Sequence, residues 1–551
     1  MSSAAAAAAI VALLAASATH AANYTWVGNS SPDWADVDNW RDGNNAVPAV
    51  PLGSAVADEA FFKALGLFQP VVSSQQPPAL DDDARINRLV FECGGIDISG
   101  NGSLLINRGN IDLTADQRFI NANAGTTNTI SVPIVLGNGK SGTAYFIIGK
   151  DAALVFGSAI SYANPSSGVR NLFLRGAGTF DLRGTATVAD LRAEEGARLL
   201  FNNPNGRVYA PTAGYKVRLF GGSAKWLHDN QILANSANNV LLRIDNGAFA
   251  DLNCKTDAVH KVNFCIDNAV GGTLDTGASG LLRIYNGSDS ISVGSGNVIP
   301  STTSVINGNI FFEGSASSTA RISTRRGAAD ADLIVNAVIG GACAVSVDII
   351  RNDNSNNNQN GAPINATSGI VVFNAINTYA QTTKVLYGTL IVNGATGPGK
   401  VEIAAAGRLE GTGVVDPADA TPPSTIAVNG GTLAPGAPLG TLTIGSPDGG
   451  ENDVVFNPSL SSVLEIRADA SGAATLKVNG KITNAGSATL RLSAAARPPT
   501  GRHLVVEASG GIGGAFAAIE GETDLLRFHR SANSKQVWLH SYDLGTLLMV
   551  K

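Results

Sequence analysis

Two arginines and two aspartates lie close together in the sequence, at Arg325, Arg326, Asp330 and Asp332. Residues 330 and 332 would share a face of an extended chain, because side chains alternate with a period of two. Carboxylates that hold a cation beside an arginine base are the groups that a polysaccharide lyase requires, and parallel β-helices are one of the folds that house such enzymes. A solvated rim of charge explains the same residues without any reaction, and we favour it.

Two other acidic groups are candidates for the carboxylate pair of a glycosidase, which needs two carboxyl groups on either side of the scissile bond. Asp81 to Asp83 follow a stretch rich in Pro and Gln, which predicts a solvated loop. Glu194 and Glu195 are adjacent, so in an extended chain they point to opposite faces. Neither group predicts a glycosidase.

Metal and nucleophile chemistry have no sequence support. The six histidines show no metal-ligand spacing, and the Gly-x-Ser-x-Gly pattern of a hydrolase nucleophile does not occur. We therefore predict no catalytic residue, no cofactor and no metal ligand, and we expect no enzymatic activity unless Asp330 and Asp332 act as a lyase pair.

Three of the five tryptophans, Trp26, Trp34 and Trp40, fall within one short segment near the N-terminus. In a chain with few aromatic residues, such a cluster is expected to cover the open end of a stack of strands. A platform on which a sugar ring stacks is the alternative. The candidate carbohydrate contacts are therefore Trp26, Trp34, Trp40, Arg325, Asp330 and Asp332.

The composition favours stacked strands over a globular domain. Glycine supplies 63 of 551 residues, above the average of about 7%, and charged residues make up 15%, below the average of about 25%. Strands stacked in register place like charges close together, so low charge is expected of them. The net charge of −6 and the lack of a basic stripe exclude nucleic acid as a partner.

Short alternating runs separated by Gly or Asn recur along the chain, and no segment has helical spacing. One strand per side of a stacked coil explains such runs, so the sequence predicts an all-β fold, a β-solenoid or parallel β-helix. The pattern is less regular from 202 to 303. The predicted parts are a signal peptide at 1–21, a tryptophan-rich cap at 22–85, a solenoid at 86–350, a polar insertion at 351–369 and a second stretch of solenoid at 370–551.

Two local features leave alternatives open. The segment from Arg351 to Ala362 is polar and predicts a projecting loop, in which Asn and Asp could hold a cation, although the repeating calcium-binding pattern is absent. Cys254 and Cys265 are the one pair spaced for a disulfide, and buried free thiols are the other interpretation.

The first 21 residues carry an apolar core followed by small residues, which predicts a secretory signal with cleavage after Ala18 or Ala21. The absence of Lys and Arg before that core leaves one alternative open, a cytosolic chain with an alanine-rich start. We favour the signal peptide because the strand pattern begins immediately afterwards, at Ala22–Trp26. No later segment approaches 18 apolar residues, so no membrane span is predicted after removal of the signal.

Several segments resemble the autotransporter-associated β-strand repeat. The N-terminal tryptophans, with Asn39 and the run from Asp58 to Phe61, are also similar to the first segment of large secreted proteins that carry this repeat. The matching segments are Asn377–Tyr379, Gly388–Gly394, Gly407–Gly413, Gly431–Gly436 and Gly440–Ile444.

The resemblance implies a right-handed parallel β-helix of passenger type, secreted or on the outer surface of a bacterium. The chain lacks the translocator barrel of a full autotransporter, so we expect another protein to supply the outer-membrane step. The expected function is a non-catalytic spacer, adhesin or matrix-binding surface; the alternative is a polysaccharide-binding or polysaccharide-degrading β-helix. The expected partners are extracellular polysaccharide or cell-surface components. A lateral face with clustered Asp, Arg and aromatic residues would favour the polysaccharide-binding or polysaccharide-degrading protein. A lateral face of Thr and Asn would favour the spacer, adhesin or matrix-binding surface.

Overall fold

The computed structural model describes most of the chain between residues 23 and 543. Contacts divide it into two compact units, the first comprising residues 1–240 and 249–251 and the second 241–248 and 252–551. The described ranges are 23–27, 33–42, 46–47, 59–62, 79–80, 84–86, 88–91, 94–106, 117–121, 125–136, 143–162, 171–211, 216–233, 239–285, 289–295, 298–349, 369–415, 425–445 and 452–543.

Short strands dominate the first unit, which also holds a 3-10 turn at Val37–Asn39. Its strands before residue 240 are β1 (Asn23–Trp26), β2 (Trp40–Arg41), β3 (Glu59–Phe62), β4 (Ala79–Leu80), β5 (Ala84–Ile86), β6 (Arg88–Phe91), β7 (Asp97–Gly100), β8 (Leu104–Ile106), β9 (Gln117–Asn121), β10 (Thr127–Ile130), β11 (Ile134–Leu136), β12 (Thr143–Ile148), β13 (Ala153–Phe156), β14 (Ile160–Tyr162), β15 (Asn171–Arg175), β16 (Thr179–Leu182), β17 (Asp190–Glu194), β18 (Arg198–Phe201), β19 (Lys216–Phe220) and β20 (Ser223–Trp226).

The remaining strands belong to the second unit, except β22, which belongs to the first; a second 3-10 turn spans Ala485–Ser487. They are β21 (Leu241–Asp245), β22 (Phe249–Asp251), β23 (Thr256–Val259), β24 (Lys261–Phe264), β25 (Thr273–Asp275), β26 (Leu281–Ile284), β27 (Ile291–Val293), β28 (Ser304–Asn307), β29 (Asn309–Phe312), β30 (Thr319–Thr324), β31 (Leu333–Val335), β32 (Val338–Gly341), β33 (Ala344–Ile349), β34 (Ile370–Phe373), β35 (Thr383–Val392), β36 (Val401–Gly411), β37 (Val414–Val415), β38 (Thr425–Asn429), β39 (Thr432–Pro435), β40 (Thr441–Ile444), β41 (Asp453–Phe456), β42 (Ser462–Asp469), β43 (Gly472–Ala473), β44 (Thr475–Val478), β45 (Lys481–Thr483), β46 (Ala488–Ala494), β47 (Gly501–Ala508), β48 (Gly511–Ile512), β49 (Ala518–Glu520), β50 (Leu526–Arg530) and β51 (Gln536–Ser541).

Alternation of side chains sets the inside and the outside of each unit. In β15, Leu172 and Leu174 are buried, whereas Asn171, Phe173 and Arg175 face outward and are half-buried. Inward Ile, Leu, Val and Phe of successive strands stack on one another and form the core. Burial of these apolar columns is the main stabilising contribution to the fold, at about 25 cal/mol per Å².

In the first unit the strands pair in three parallel ladders. Asn171 pairs with Asp190 and Asp190 pairs with Lys216, so the two coils between them contain 19 and 26 residues. The first ladder is β1, β3, β6, β9, β12, β15, β17 and β19; the second is β4, β7, β10, β13, β16, β18, β20 and β22; the third is β5, β8, β11 and β14.

The second unit repeats this arrangement and includes most of the stretch in which the sequence pattern is less regular. Its first ladder is β21, β24, β27, β30, β33, β35, β36, β38, β41, β45 and β48, and its second is β25, β28, β31, β34, β35, β36, β39, β42, β46 and β49. A third ladder joins β23, β26, β29 and β32, and another joins β37, β40, β44 and β47. The prediction of an all-β parallel β-helix is confirmed.

The tryptophan segment includes the first strand of the first ladder. Trp26 and Trp40 are paired across antiparallel β1 and β2, and β1 continues the ladder through β3. The Trp40 ring lies 4.9 Å from that of Trp26 and 4.8 Å from that of Trp34, edge to face in both cases. The Trp40 indole N–H donates to the carbonyl of Trp34 at 2.9 Å, so its polar atom is satisfied inside the cluster.

The described part of the second unit ends in an antiparallel hairpin. The sequence pattern did not predict this hairpin. β51 pairs antiparallel with both β47 and β50, whereas β47 pairs parallel with β44. The turn before β51 is held by Ser531, whose backbone N–H donates to Gln536, and by Ser534 in a left-handed conformation. β51 therefore covers the edge of β47, which limits strand pairing with other chains.

No helix among the described residues is long and apolar enough to cross a membrane. The predicted signal at Met1–Ala21, the Asp81 to Asp83 group and the polar segment from Arg351 to Ala362 all lie outside the described residues.

Candidate functional site

Asp332 is fully buried and its carboxylate is part of the internal structure of the second unit. Its two oxygens accept hydrogen bonds from the backbone N–H of Gly327 at 2.6 Å and of Ile370 at 2.7 Å. Arg326 lies 3.5 Å from the same carboxylate. Charged and backbone donors thus compensate for the burial of Asp332, which joins residues on either side of the polar insertion.

The other candidate residues of this group lie apart from that carboxylate. Asp330 is exposed, and the Arg325 guanidinium donates to the carbonyl of Ser295 at 2.7 Å. The two aspartates do not share a face, because they precede β31 in a bend, where strand alternation does not apply. The structure therefore does not bring Asp330 and Asp332 together as a pair of carboxylates.

The three N-terminal tryptophans are also inside the protein. Trp26, Trp34 and Trp40 are 1%, 3% and 0% exposed. A sugar that stacks on an aromatic ring needs one free face of that ring. In this structure the rings pack against one another and are buried, so they offer no free face as a stacking platform.

The outer surface of the first unit carries the residues best placed to bind a partner. We name the six residues Tyr145, Phe173, Arg175, Arg192, Glu194 and Phe220 the arginine–aromatic face. They point outward from four consecutive strands of the first ladder: β12, β15, β17 and β19. Register places Tyr145, Phe173 and Arg192 in one column and Arg175, Glu194 and Phe220 in the neighbouring one.

Cation–π contacts connect the two columns. The Arg175 guanidinium lies 4.1 Å from the centroid of the Tyr145 ring, and Arg192 lies 5.2 Å from that of Phe173 and 4.8 Å from that of Phe220. Tyr145 and Phe173 meet edge to face at 5.4 Å. Arginine stacks well on aromatic rings because its planar guanidinium is weakly hydrated.

Glu194 holds both arginines. Arg175 Nε lies 2.7 Å from Glu194 Oε2, and Arg192 pairs with the other oxygen of the same carboxylate. Glu195 does not point to the opposite side as alternation predicts, since its left-handed backbone (φ 56°) brings its carboxylate within 3.9 Å of Arg175. Both oxygens of the Glu194 carboxylate are therefore engaged in ion pairs with arginine.

The arginines of the face are partly accessible to solvent. The side chains of Arg175 and Arg192 are 31% and 18% exposed. Each guanidinium carries five N–H donors, so both keep donors beyond those directed at Glu194. The arrangement can bind carboxylate or hydroxyl groups of a polymer, with ring edges as apolar contacts.

A different column runs along the second unit. Asn336, Asn374 and Asn393 each follow a strand of its second ladder, and each side-chain amide donates to the side-chain oxygen of the preceding coil. The first of these bonds is accepted by Asn307, and the three distances are 2.9, 2.8 and 3.0 Å. These asparagines form an uncharged polar ladder. Such a ladder is consistent with the low content of charged residues, because charged side chains of one sign would repel one another at this spacing.

The second unit also contains a four-membered charge network. Arg408 contacts Glu410 and Glu465, and Arg467 lies 2.7 Å from Glu410 and 3.6 Å from Glu465. Each of the four side chains has two partners of opposite charge within the network. These residues therefore form a structural ion-pair network.

The predicted alternative of a Cys254–Cys265 disulfide is wrong in this structure, because both thiols are free. Cys254 is exposed, whereas Cys265 is buried with its sulfur 3.7 Å from the Ser304 hydroxyl. Burial raises the pKa of the Cys265 thiol to about 11. Cys265 therefore behaves as a small apolar side chain.

Within the described ranges, no three His, Cys, Asp or Glu side chains are grouped so that they could hold a metal ion. No protein-family model matches the chain, and no curated protein matches it in sequence.

Sequence reasoning missed the arginine–aromatic face. The sequence does place arginine and aromatic residues at the outward positions of alternating runs such as Asn171–Arg175 and Lys216–Phe220. Their alignment depends on coil lengths of 19 and 26 residues, which a single coil does not reveal.

Proposed function

We propose that the protein is a non-catalytic β-helix, secreted or displayed on a bacterial surface, that acts as a spacer, adhesin or matrix-binding surface. The observation that carries this proposal is that the arginine–aromatic face of the first unit leaves arginine side chains partly exposed to a partner while its carboxylate, Glu194, is held in ion pairs with Arg175 and Arg192. The clustered charges and rings of this face favour polysaccharide as the material bound, a partner that both candidates share.

The physics of the ladder supports a binding role. Strands in register place equivalent side chains about 4.8 Å apart along a column. A polymer lying along the column meets donors and ring edges at repeated spacing, and weak contacts add through multivalency. Because Glu194 and the rings hold Arg175 and Arg192, binding costs little side-chain entropy.

Polysaccharide binding or degradation is the second candidate, and one observation favours its binding form. Arginine, carboxylate and aromatic side chains cluster on one lateral face of the first unit, whereas the second unit presents its asparagine ladder. Arginine and aromatic residues are groups that contact sugars and their carboxylates.

Export and family membership belong to the same proposal. Support comes from the signal-like segment at Met1–Ala21 and from the repeat-like segments between Asn377 and Ile444. N-terminal sequencing of the protein recovered from culture medium or cell surface should begin near Thr19 or Ala22. Intact protein in the cytosol that retains Met1–Ala21 would contradict export.

Adhesion to immobilised extracellular polysaccharide and to whole cells tests the binding role. The variant Arg175→Ala with Arg192→Ala should reduce retention by about tenfold, as loss of about 1.4 kcal/mol predicts. Arg491→Ala is the matched control, since Arg491 forms an exposed ion pair with Glu520 on the second unit. Equal retention of wild type and double variant would reject the arginine–aromatic face as the binding surface.

A further inference from the structure

We propose that a polar cleft in the first unit binds a single neutral sugar residue of a polysaccharide. The cleft measures about 420 Å³ and is lined by Pro204, Gly206, Arg207, His228, Asp229 and Asn230. Its volume is in the range of small-molecule sites, about 300–1,000 Å³. The proposal rests on the binding function above and names the chemistry of one contact.

The cleft is formed by two loops that follow consecutive strands of the second ladder. One loop follows β18 and the other follows β20, and these strands pair in register from Arg198–Ser223 to Phe201–Trp226. The arginine–aromatic face lies on the first ladder and shares no residue with the cleft. A ligand of one site therefore does not need the other.

A buried glutamine fixes the shape of the cleft. Gln231 is 0% exposed, and its amide N–H groups donate to the carbonyls of Asn203, Gly206 and Asp229 at 2.9 to 3.0 Å. Its side-chain oxygen accepts from the backbone N–H of Asn203 at 2.8 Å. Gln231 thus ties the loop after β18 to the loop after β20, and the cleft is formed before any ligand arrives.

A chain of hydrogen bonds determines which nitrogen of His228 carries the proton. Asn202 donates its amide N–H to Asp181 at 2.9 Å, and Asp181 also accepts from Arg183 at 2.9 Å. The oxygen of Asn202 therefore acts as an acceptor, and His228 Nε2, 3.2 Å away, is the donor. In the neutral ring this leaves Nδ1 as an acceptor.

The lining groups complement a vicinal diol. The Asp229 carboxylate and His228 Nδ1 accept hydrogen bonds from hydroxyl groups, Arg207 donates to hydroxyl or ring oxygens, and the Asn230 amide does both. Pro204 adds a small apolar surface. The formal charges of Arg207 and Asp229 cancel, and this balance favours a neutral sugar over a uronic acid.

Isothermal titration calorimetry of the full chain tests the proposal. The probes are cellohexaose, maltohexaose and mannohexaose as neutral oligosaccharides, and hexagalacturonate as the acidic one, each up to about 10 mM, which detects even millimolar affinity. The cleft variants are Arg207→Ala and His228→Asn. Arg198→Ala is the matched control, because Arg198 is exposed on β18 outside the cleft. Circular dichroism melting verifies that each variant folds.

We expect at least one neutral probe to bind, with affinity reduced by about tenfold or more in both cleft variants and unchanged in Arg198→Ala. No binding of any neutral probe, equal binding by folded cleft variants, or binding of hexagalacturonate alone would overturn the assignment. Adhesion that depends on Arg175 and Arg192 while the short probes do not bind would overturn the cleft proposal but keep the proposed function. If the cleft binds neutral sugar but adhesion does not depend on Arg175 and Arg192, the cleft proposal stands and the proposed function is overturned.

Discussion

Arg408 reaches across strand β39 and forms a bidentate ion pair with Glu465, with N–O distances of 3.1 and 2.8 Å. Arg408 lies on β36 and Glu465 on β42, and β39 pairs with both strands. The outward residues of β39 beside this pair are Thr432, in register with Arg408, and Ala434, in register with Glu410, and both side chains are small enough to leave room for the guanidinium. One side chain thus connects three successive coils of the second unit.

This ion pair predicts an acid-sensitive contribution to stability. Burial by itself raises the pKa of Glu465, but the hydrogen bond and charge of Arg408 outweigh it, so the pKa lies below its ordinary value. Glu465 therefore stabilises the fold above its unfolded pKa of about 4.3, and this contribution is lost as pH falls through the lower folded pKa. Urea unfolding of wild type and Glu465→Gln should show a difference in the free energy of unfolding of about 1–3 kcal/mol at pH 7, and this difference should shrink as the pH falls below the unfolded pKa and through the lower folded pKa.

The matched control for Glu465 is Glu520→Gln. Glu520 pairs with Arg491 at 2.8 Å, but both side chains are about half exposed, at 50% and 43%. An exposed pair contributes only about 0–1 kcal/mol. Equal effects of the two substitutions would refute the bridging role of Arg408 and Glu465.

Substitution by alanine should destabilise the protein at one glycine of the second unit and have little effect at another. A Cβ on Gly407 would lie 2.1 Å from the carbonyl oxygen of Val385 in the neighbouring coil, so Gly407→Ala should cost at least about 1–3 kcal/mol. A Cβ on Gly486 would meet only Ala515, at 3.5 Å, so Gly486→Ala should change stability by less than about 0.5 kcal/mol. Thermal unfolding measures both, and a tolerated Gly407→Ala would show that the coils do not approach as closely as described.

The asparagine ladder predicts that replacing Asn374 by aspartate lowers the stability of the protein more than replacing it by alanine. Asn374 donates to Asn336 and accepts from Asn393. Asn374→Ala removes both bonds and should cost about 0.5–1.5 kcal/mol, because water competes at this exposed position. Asn374→Asp keeps an acceptor but faces the Asn336 oxygen without a donor, so it should be less stable than Asn374→Ala at pH 7. A more stable Asp variant would indicate that the amides do not form a directional ladder.

Thiol reactivity separates the three described cysteines. In a Cys93→Ser background, one thiol, Cys254, should react with a maleimide in the native protein, and Cys265 and Cys343 should react only after denaturation. The reason is that Cys254 is exposed, whereas burial raises the pKa of both other thiols. Mass spectrometry of labelled peptides locates the adduct. A Cys254–Cys265 disulfide in the same peptides would contradict the structure.

The C-terminal hairpin should weaken on acidification. His540 stacks on His529 at 4.0 Å between ring centroids, and its Nδ1 lies 3.3 Å from the Tyr542 hydroxyl. Burial, the His529 ring and the Arg502 charge lower the pKa of His540, so it stabilises the fold above an unfolded pKa of about 6.5. This stability is lost as pH falls through the folded pKa. The melting temperature of His540→Gln should fall less between pH 8 and pH 5 than that of wild type, and parallel curves would exclude the mechanism.

Sequence reasoning located strands well where their alternation is undisturbed. The segments Gly388–Gly394 and Gly440–Ile444 contain such alternating runs, and the structure has strands there, β35 (Thr383–Val392) and β40 (Thr441–Ile444). The inward or outward direction of each residue follows from period two alone, which is why the core was predictable.

The same reasoning failed where backbone leaves the strand or where coils must be aligned. Asp330 and Asp332 differ in burial because they lie in a bend, and Glu195 approaches Arg175 because of its positive φ. The neighbours of Arg192 depend on how many residues each coil contains, and that number varies from coil to coil. Binding residues on a solenoid surface are therefore the part of the structure least accessible from one sequence.

The strands β33 and β34, on either side of the polar segment, both keep their pairing with the following strand. Val345 pairs with Thr383 and Val371 pairs with Leu390, so the strands on both sides of the insertion remain in register with the next coil. Closing a flexible connection costs only about 0.6 kcal/mol more for each doubling of its length. The connection between β33 and β34 can therefore change in length without a change in the core, and a foreign peptide grafted between these strands should leave the pairing of β33 and β34 with β35 unchanged.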